Sequence, residues 1–499
     1  MRKKLPIFYS ALLLTAVNLL LRLVSTTFQV YLSGRIGASG IGLLQLVMST
    51  GTLAMTAGMA GIRTATMYLS AEELGKKRPE NVTWVLTECV LYSIICSGTI
   101  SLLLTSFAPW IAENWIGNTQ TIGALRLYAS FIPVTCLCGV MIGYFTAANR
   151  IGTLAVVEIA EQLFYIAASM MLLIFWAGTD PAKACQSLIL SSGLCSCLTL
   201  ACLVFLRLLE HPKAGNTVPV RNRLLQTAVP LALADDLRTG ISTAENLMVP
   251  KRLALYPAAG EPLAVFGTVC GMVFPVLMFP ASILFGLAEL LIPELARCTA
   301  AGSQKRIQYL VKRSLRITLL YGCVICGLEF LLAETLSLWL YKSEDVGRYL
   351  RLYALLIPML YCDTITDAMT KGLGQQKVCV RYNIITSAMD VAFLYLLLPH
   401  YGMMGYYFSF LITHLINFIL SLRRLLHTVG HVISCLAAFL SIASTAAAMC
   451  LASTISSPIF RGCAFILILG CLLVILRVVG KEDTHWLRGL LSANIPQNH

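Results

Sequence analysis

Charge is scarce in this sequence. Asp, Glu, Lys and Arg supply 12% of its 499 residues, whereas a water-soluble domain carries roughly 25%. Hydrophobic residues make up 58%, and mean hydropathy is +0.78. That shortage of charge excludes a water-soluble fold. Long loops are missing too: the longest connections fall near 210–222 and 294–311, too short for an extramembrane catalytic domain. No Walker A sequence is present, so nothing here cradles ATP in a phosphate loop. No cleavable signal sequence is visible either. Met1-Arg2-Lys3-Lys4 runs straight into an apolar span longer than a signal core, and the expectation is a retained first helix anchored in the cytoplasm. The seven histidines form no ligand cluster with the eighteen cysteines. Those cysteines, Cys136/Cys138 and Cys195/Cys197 among them, read as buried small hydrophobes that call for no disulfide, metal or cofactor.

What the sequence has is apolar length. A bilayer-spanning helix uses about 20 residues. Apolar stretches fall at 7–34, 41–70, 83–108, 121–147, 152–177, 184–209, 223–248, 263–293, 312–338, 346–373, 378–399, 402–426, 430–453 and 459–480. The expected fold is therefore an all-α integral membrane protein of about fourteen transmembrane helices, numbered here as spans one to fourteen. A net charge of +13 raises nucleic acid as a partner, and its distribution answers the question. With the N-terminus inside, 25 basic residues fall on the cytoplasmic side and nine on the outer side, with Arg22, Arg63 and Arg238 in mid-span. This is the positive-inside pattern with both termini cytoplasmic, and not a nucleic-acid footprint.

The chain also repeats itself. Leu125-Arg126-Leu127-Tyr128-Ala129-Ser130-Phe131-Ile132-Pro133 opens span four, and Leu350-Arg351-Leu352-Tyr353-Ala354-Leu355-Leu356-Ile357-Pro358 opens span ten 225 residues later, with seven of nine positions identical. Two pseudo-symmetric six-helix lobes are expected, at 1–210 and 223–427, with two additional helices at 430–480 and a cytoplasmic tail at 481–499. Duplicated halves that rock about a central cavity form a transporter architecture.

Polar residues within the spans fall in stripes. Asn18, Arg22, Ser25 and Gln29 lie within about 60° of one another on a helix. Gln45, Ser49, Thr52, Thr56, Arg63 and Ser70 repeat the pattern in span two. Helix-to-helix hydrogen bonding would explain Ser and Thr; two full-length stripes, each with an arginine, fit a water-accessible cavity better. Arg63 also lies close enough to the cytoplasmic surface to snorkel. Span seven holds Pro230, Asp235, Asp236, Arg238 and Glu245. Ionisable groups at membrane depth mark functional sites by default, and a self-neutralising Asp235–Arg238 pair is the alternative. Pro275 and Pro280 imply a kinked, gating span eight. Glu158 and Glu161, Asp363 and Asp367, and Asp390 serve ion coupling or structural pairing, and the sequence leaves both open.

Several segments resemble one family. "LSGRIGASGIGLLQL" (32–46), "GYFTAANRIGTLAVVEIAEQ" (143–162), "NLMVPKRLAL" (246–255), "FGTVCGMVFPVLMFPASILFGLAELLIPELA" (266–296) and "LPHYGMMGYYFS" (398–409) look like the stage V sporulation protein B group of the multidrug/oligosaccharidyl-lipid/polysaccharide exporter superfamily. The resemblance runs in order along nearly the whole chain. It implies a fourteen-span fold and the flipping of undecaprenyl-linked oligosaccharides, lipid II foremost, across the bacterial cytoplasmic membrane. It also implies cationic residues that hold the diphosphate in a cavity between the lobes. Arg22 matches the family's first-span arginine. The next arginine of that pattern is replaced by the stretch Thr26 to Gln29, and the usual glycine is absent.

The expectation is thus a flippase for a lipid-linked oligosaccharide, not an enzyme. Arg22, Arg63 and Arg238 would contact the diphosphate, and Asn18, Gln29, Gln45, Ser49 and Glu245 would line the cavity. Asp235, Asp236 and Asp390 are the ion-coupling candidates, with membrane potential or an ion gradient as driving force. A cation-coupled drug exporter of the same superfamily is the runner-up. A membrane glycosyltransferase would need acidic, sizeable loops, and the outer loop 109–120 offers only Glu113. A non-transporting membrane paralogue is the remaining reading.

Overall fold

The computed structural model describes residues 7–76, 78, 80–178, 180–210, 220–258, 260–430 and 435–478, apart from the side chains of residues 7–18, 151, 290 and 435. Among the described residues every regular element is helical and no strand occurs. The N-terminal elements are α1 (Ile7–Met59), α2 (Ile62–Gly75), α3 (Asn81–Ile111), α4 (Ile122–Ala147), α5 (Ile151–Leu172), α6 (Pro181–Leu208) and α7 (Arg221–Leu253). Two short pieces, α8 (Pro262–Thr268) and α9 (Phe274–Met278), lead into α10 (Ser282–Ala300). The chain continues as α11 (Gln304–Tyr341), α12 (Glu344–Ala354), α13 (Ile357–Gly372), α14 (Gln376–Tyr401), α15 (Met403–Val429), α16 (Cys435–Ala452) and α17 (Pro458–Ile475).

Helix breaks follow the local chemistry. Spans one and two share α1, which is interrupted at Gly37 by φ 71°, ψ 179°, a conformation open to glycine and closed to a helix interior. Span two breaks again at Ala60 and Gly61, both at positive φ, before α2 completes it. Asp180 caps α6 by accepting from Ala182 N at 2.9 Å, with Pro181 in the first turn. The two copies of the repeat fold differently. Residues 125–133 lie within the continuous α4, whereas 350–358 straddle the gap between α12 and α13.

Among the described residues, nine helices are long and apolar enough to cross a membrane, or ten if the bent pair α8–α9 and α10 is one span. All fourteen apolar stretches fall on helical segments, which is compatible with fourteen spans. The helix α7 is long enough but carries Asp235, Asp236, Arg238 and Glu245. Large apolar side chains cover the outside: Phe175 is 81% and Trp339 78% exposed, a liability in water and a requirement in lipid. This is a multi-pass membrane protein. Not every cysteine is a core residue, however, because Cys197, Cys202, Cys450, Cys463 and Cys471 are exposed on helix surfaces.

Contacts divide the chain into two compact units, and the division does not follow chain order. The first comprises 1–26, 272–389 and 407–499, and the second 27–271 and 390–406, as far as these residues are described. In the first unit Leu331, Ala448, Phe465 and Leu469 pack α11, α16 and α17 together, with the Phe465 ring seated on Gly327. In the second, Ile62, Leu69, Val85, Val140, Phe145, Leu203 and Leu224 join α2, α3, α4, α6 and α7. Gly42 and Gly267 also meet there so closely that a Cβ on either would strike the other segment's backbone, at Leu263 O and Ala38 O respectively.

Candidate functional site

Span eight is where the sequence forces an irregular backbone into an apolar segment. Its two halves are bent by 61° between α9 and α10. Pro275 has no N–H to offer Gly271 O four residues before it, and at the bend Ser282 N donates to Phe279 O, so Met278 O loses its usual donor. Side chains supply replacements. Within the first unit, Tyr341 OH donates to Met272 O at 3.2 Å, Tyr361 OH to Leu277 O at 3.0 Å and Tyr321 OH to Pro280 O at 2.8 Å. Arg22 Nη2 donates to Met278 O at 3.4 Å, and its guanidinium lies over the Phe285 ring at 5.1 Å. In the second unit, Gln29 Nε2 donates to Gly271 O at 3.1 Å, the carbonyl four residues before Pro275. Two residues of the span-one stripe thus brace the broken helix. At 3.4 Å the Arg22 bond is near the outer limit of useful geometry, while the tyrosine bonds are well inside it.

Spans two and seven are arranged otherwise, inside the second unit. Thr243 Oγ1 donates to Ser49 O at 3.2 Å, and Asn246 Nδ2 to Ser49 Oγ at 2.9 Å. Ser49 therefore joins two helices, and Gln45 beside it is half-buried. Further along, α7 passes so close to the break in span two that a Cβ on Gly61 would lie 2.5 Å from Ala228 O. Tyr92 OH donates to Ala60 O at 3.3 Å, meeting one carbonyl of that break. Arg63, two residues on, is exposed and makes no hydrogen bond or ion pair with any described residue. Arg238 is likewise exposed and without such a partner, and Asp235 lies outside ion-pair distance of it. The self-neutralising Asp235–Arg238 pair does not form. Asp236 Oδ1 is buried with no hydrogen-bond partner among the described residues. Glu245 and Asp390, of α7 and α14, lie near enough for one charge to act on the other. The side chain of Asn18 lies outside the described residues.

Sequence reasoning missed a second polar constellation in the first unit. Asn417 Nδ2 donates to both carboxylate oxygens of Asp363 at 3.0 and 3.2 Å, with His414 Nδ1 3.5 Å from Asp363 Oδ2. One turn on, Asp367 accepts from Ser421 Oγ at 3.0 Å and Asn383 Nδ2 at 3.1 Å, with Lys371 Nζ 3.9 Å away. The acids were visible as a one-turn pair. Their partners on α14 and α15 were visible only as isolated polar residues in apolar runs. The tyrosine donors gave no signal, since Tyr suits a membrane helix for several reasons. Elsewhere in the second unit, Glu210 bridges Arg150 at 2.7 Å and Arg207 at 2.6 Å, and Arg223 pairs with Glu72. Among the described residues, no three His, Cys, Asp or Glu side chains are grouped to hold a metal ion.

A multi-pass helical protein with discontinuous helices and polar stripes at membrane depth has the construction of a secondary transporter. The chain belongs to the MatE family, whose model matches residues 15–177 and 259–396. Stage V sporulation protein B of Bacillus subtilis (strain 168) is 23% identical over 417 residues, covering 79% of this chain and 78% of that protein. Among solved structures, the lipid II flippase MurJ in an inward closed conformation is similar with a TM-score of 0.72, at 12% identity, over 93% of this chain and 98% of that one. An inward-facing multidrug resistance MATE family transporter of the MOP superfamily matches with a TM-score of 0.68 at 14% identity, over 84% and 98%.

Proposed function

We propose that the protein is a flippase that moves an undecaprenyl-diphosphate-linked oligosaccharide, a lipid II-like precursor or polysaccharide unit, across the bacterial cytoplasmic membrane by alternating access. The observation that carries this reading is that Arg63 and Arg238, in apolar helices, have no counter-ion among the described residues. An uncompensated guanidinium at membrane depth persists where an anionic ligand supplies the missing charge. Its planar fork matches phosphate oxygens bidentately. In this reading Arg22, Arg63 and Arg238 hold the diphosphate, and Asn18, Gln29, Gln45, Ser49 and Glu245 line the path of the sugars. Two six-helix lobes, 1–210 and 223–427, rock about the site, with 430–480 as two further helices and both termini, including the tail 481–499, cytoplasmic. An inside-negative potential drives an anion outward with about 2.3 kcal/mol per charge per 100 mV, and Asp235, Asp236 and Asp390 are the candidates for coupling to an ion gradient.

A cation-coupled multidrug exporter is the second reading, favoured by the carboxylates at Asp363, Asp367, Glu245 and Asp390. One experiment separates the two. Proteoliposomes of the wild type are expected to flip fluorescent lipid II and to leave cationic dyes where they are. The R22A/R63A/R238A variant is expected to lose flipping. Wild-type rates in that variant would overturn the diphosphate assignment, and dye efflux by the wild type would replace it with the exporter.

A further inference from the structure

The bend of span eight and the span-one arginine are linked in a way that the proposed function alone does not require. Four side-chain donors meet carbonyls on the first-unit side of the bend; Pro280 O also accepts from Ile283 N at 3.4 Å, whereas the usual donor of Met278 O, Ser282 N, has turned to Phe279 O. Three are neutral phenols, which bring no positive charge to an anion. The fourth, Arg22, is a permanent cation on the longest of the four bonds, and it has no ion-pair partner among the described residues. A phosphate oxygen offers a guanidinium a charge-assisted, bidentate bond, roughly twice as strong as one to a neutral carbonyl. Where both acceptors compete, the phosphate wins.

We propose that Arg22 is a shared donor. With the site empty it braces Met278 O at the bend of span eight, and a bound diphosphate recruits it, so that occupancy is transmitted to the bend. Tyr361 and Tyr321 are positioning residues in this arrangement. They hold Leu277 O and Pro280 O on either side of Met278 in both states, which keeps the bend in place while its middle carbonyl is released. Their rings stack with centroids 6.0 Å apart, so they form one rigid support. Stacking on Phe285, in the first turn of α10, gives Arg22 a second hold on the helix beyond the bend. A ligand that draws the guanidinium away gives up both contacts together. The proposal rests on the diphosphate reading for its ligand but not for its brace.

Hydrogen–deuterium exchange of the full chain in detergent tests the two parts separately, with farnesyl diphosphate as the probe. Without probe, R22A is expected to exchange the amides of 276–285 at least tenfold faster than wild type. Y361F is expected to do so by a smaller factor. Adding probe is expected to speed exchange of the same amides in wild type and in Y361F, and to change nothing in R22A. R22K, which keeps the charge and loses the fork, is expected to fall between wild type and R22A without probe. Wild-type exchange in probe-free R22A overturns the proposal, and so does a probe response that survives in R22A. If the wild type binds no diphosphate at all, the substrate reading fails while the probe-free comparison still decides whether Arg22 braces the bend.

Discussion

Two regions of this protein place arginine inside apolar helices and treat it in opposite ways. At the span-eight bend, Arg22 is half-buried, bonded to a backbone carbonyl and stacked on a ring. Around spans two and seven, Arg63 and Arg238 stand exposed, with no bond to any described residue. The same residue type thus serves as an internal brace in one place and as an open charge in the other. What separates them is the backbone nearby. A proline-broken helix offers carbonyls in need of donors, whereas the Ala60–Gly61 break has its carbonyl met by Tyr92 and its flank filled by α7.

The largest expected effect tests the open pair. Reversing both charges in R63E/R238E would remove the two charge-assisted contacts of the proposed diphosphate site, worth about 1.5–3 kcal/mol each. Lipid II flipping in proteoliposomes should fall by at least about 100-fold, given about 1.4 kcal/mol per factor of ten. Residual flipping within tenfold of wild type would erase the distinction between the two regions. Stability should move the other way. R22A leaves a carbonyl unmet and should cost about 1–3 kcal/mol, whereas R63A and R238A should stay within about 0.5 kcal/mol of wild type. Thermal unfolding in detergent reads this directly, and equal melting temperatures for all three would sink the brace. The smallest effect concerns single hydroxyls. Y361F should lower stability by about 0.6 kcal/mol, the average for a hydrogen bond between membrane helices. Y128F, whose hydroxyl lies 4.0 Å from Met55 Sδ and within reach of Thr52, should cost less than Y361F in the same measurement.

Much of the fold was legible in the sequence because bilayer physics writes it there. Apolar length gave the helical segments, and Pro275 with Pro280 announced the bend of span eight. The breaks at Gly37 and Ala60 were less visible, since a glycine in an apolar run leaves hydropathy unchanged. The site was legible only in part. The stripe from Arg22 to Gln29 was correctly placed on one helix, but its hydrogen bonds depend on which carbonyls a distant helix break leaves unmet, and no local pattern encodes that. Asp363 and Asp367 stood out as a pair, yet Asn417 and Ser421 lie 54 residues away on α15, beyond the reach of helical periodicity.

The contact between Gly42 and Gly267 has a mechanical consequence. Segments that meet backbone to backbone lie along a seam closer than side chains there would allow, and such close packing holds helices together in lipid. Any residue larger than glycine at either position would act as a wedge and hold the seam ajar.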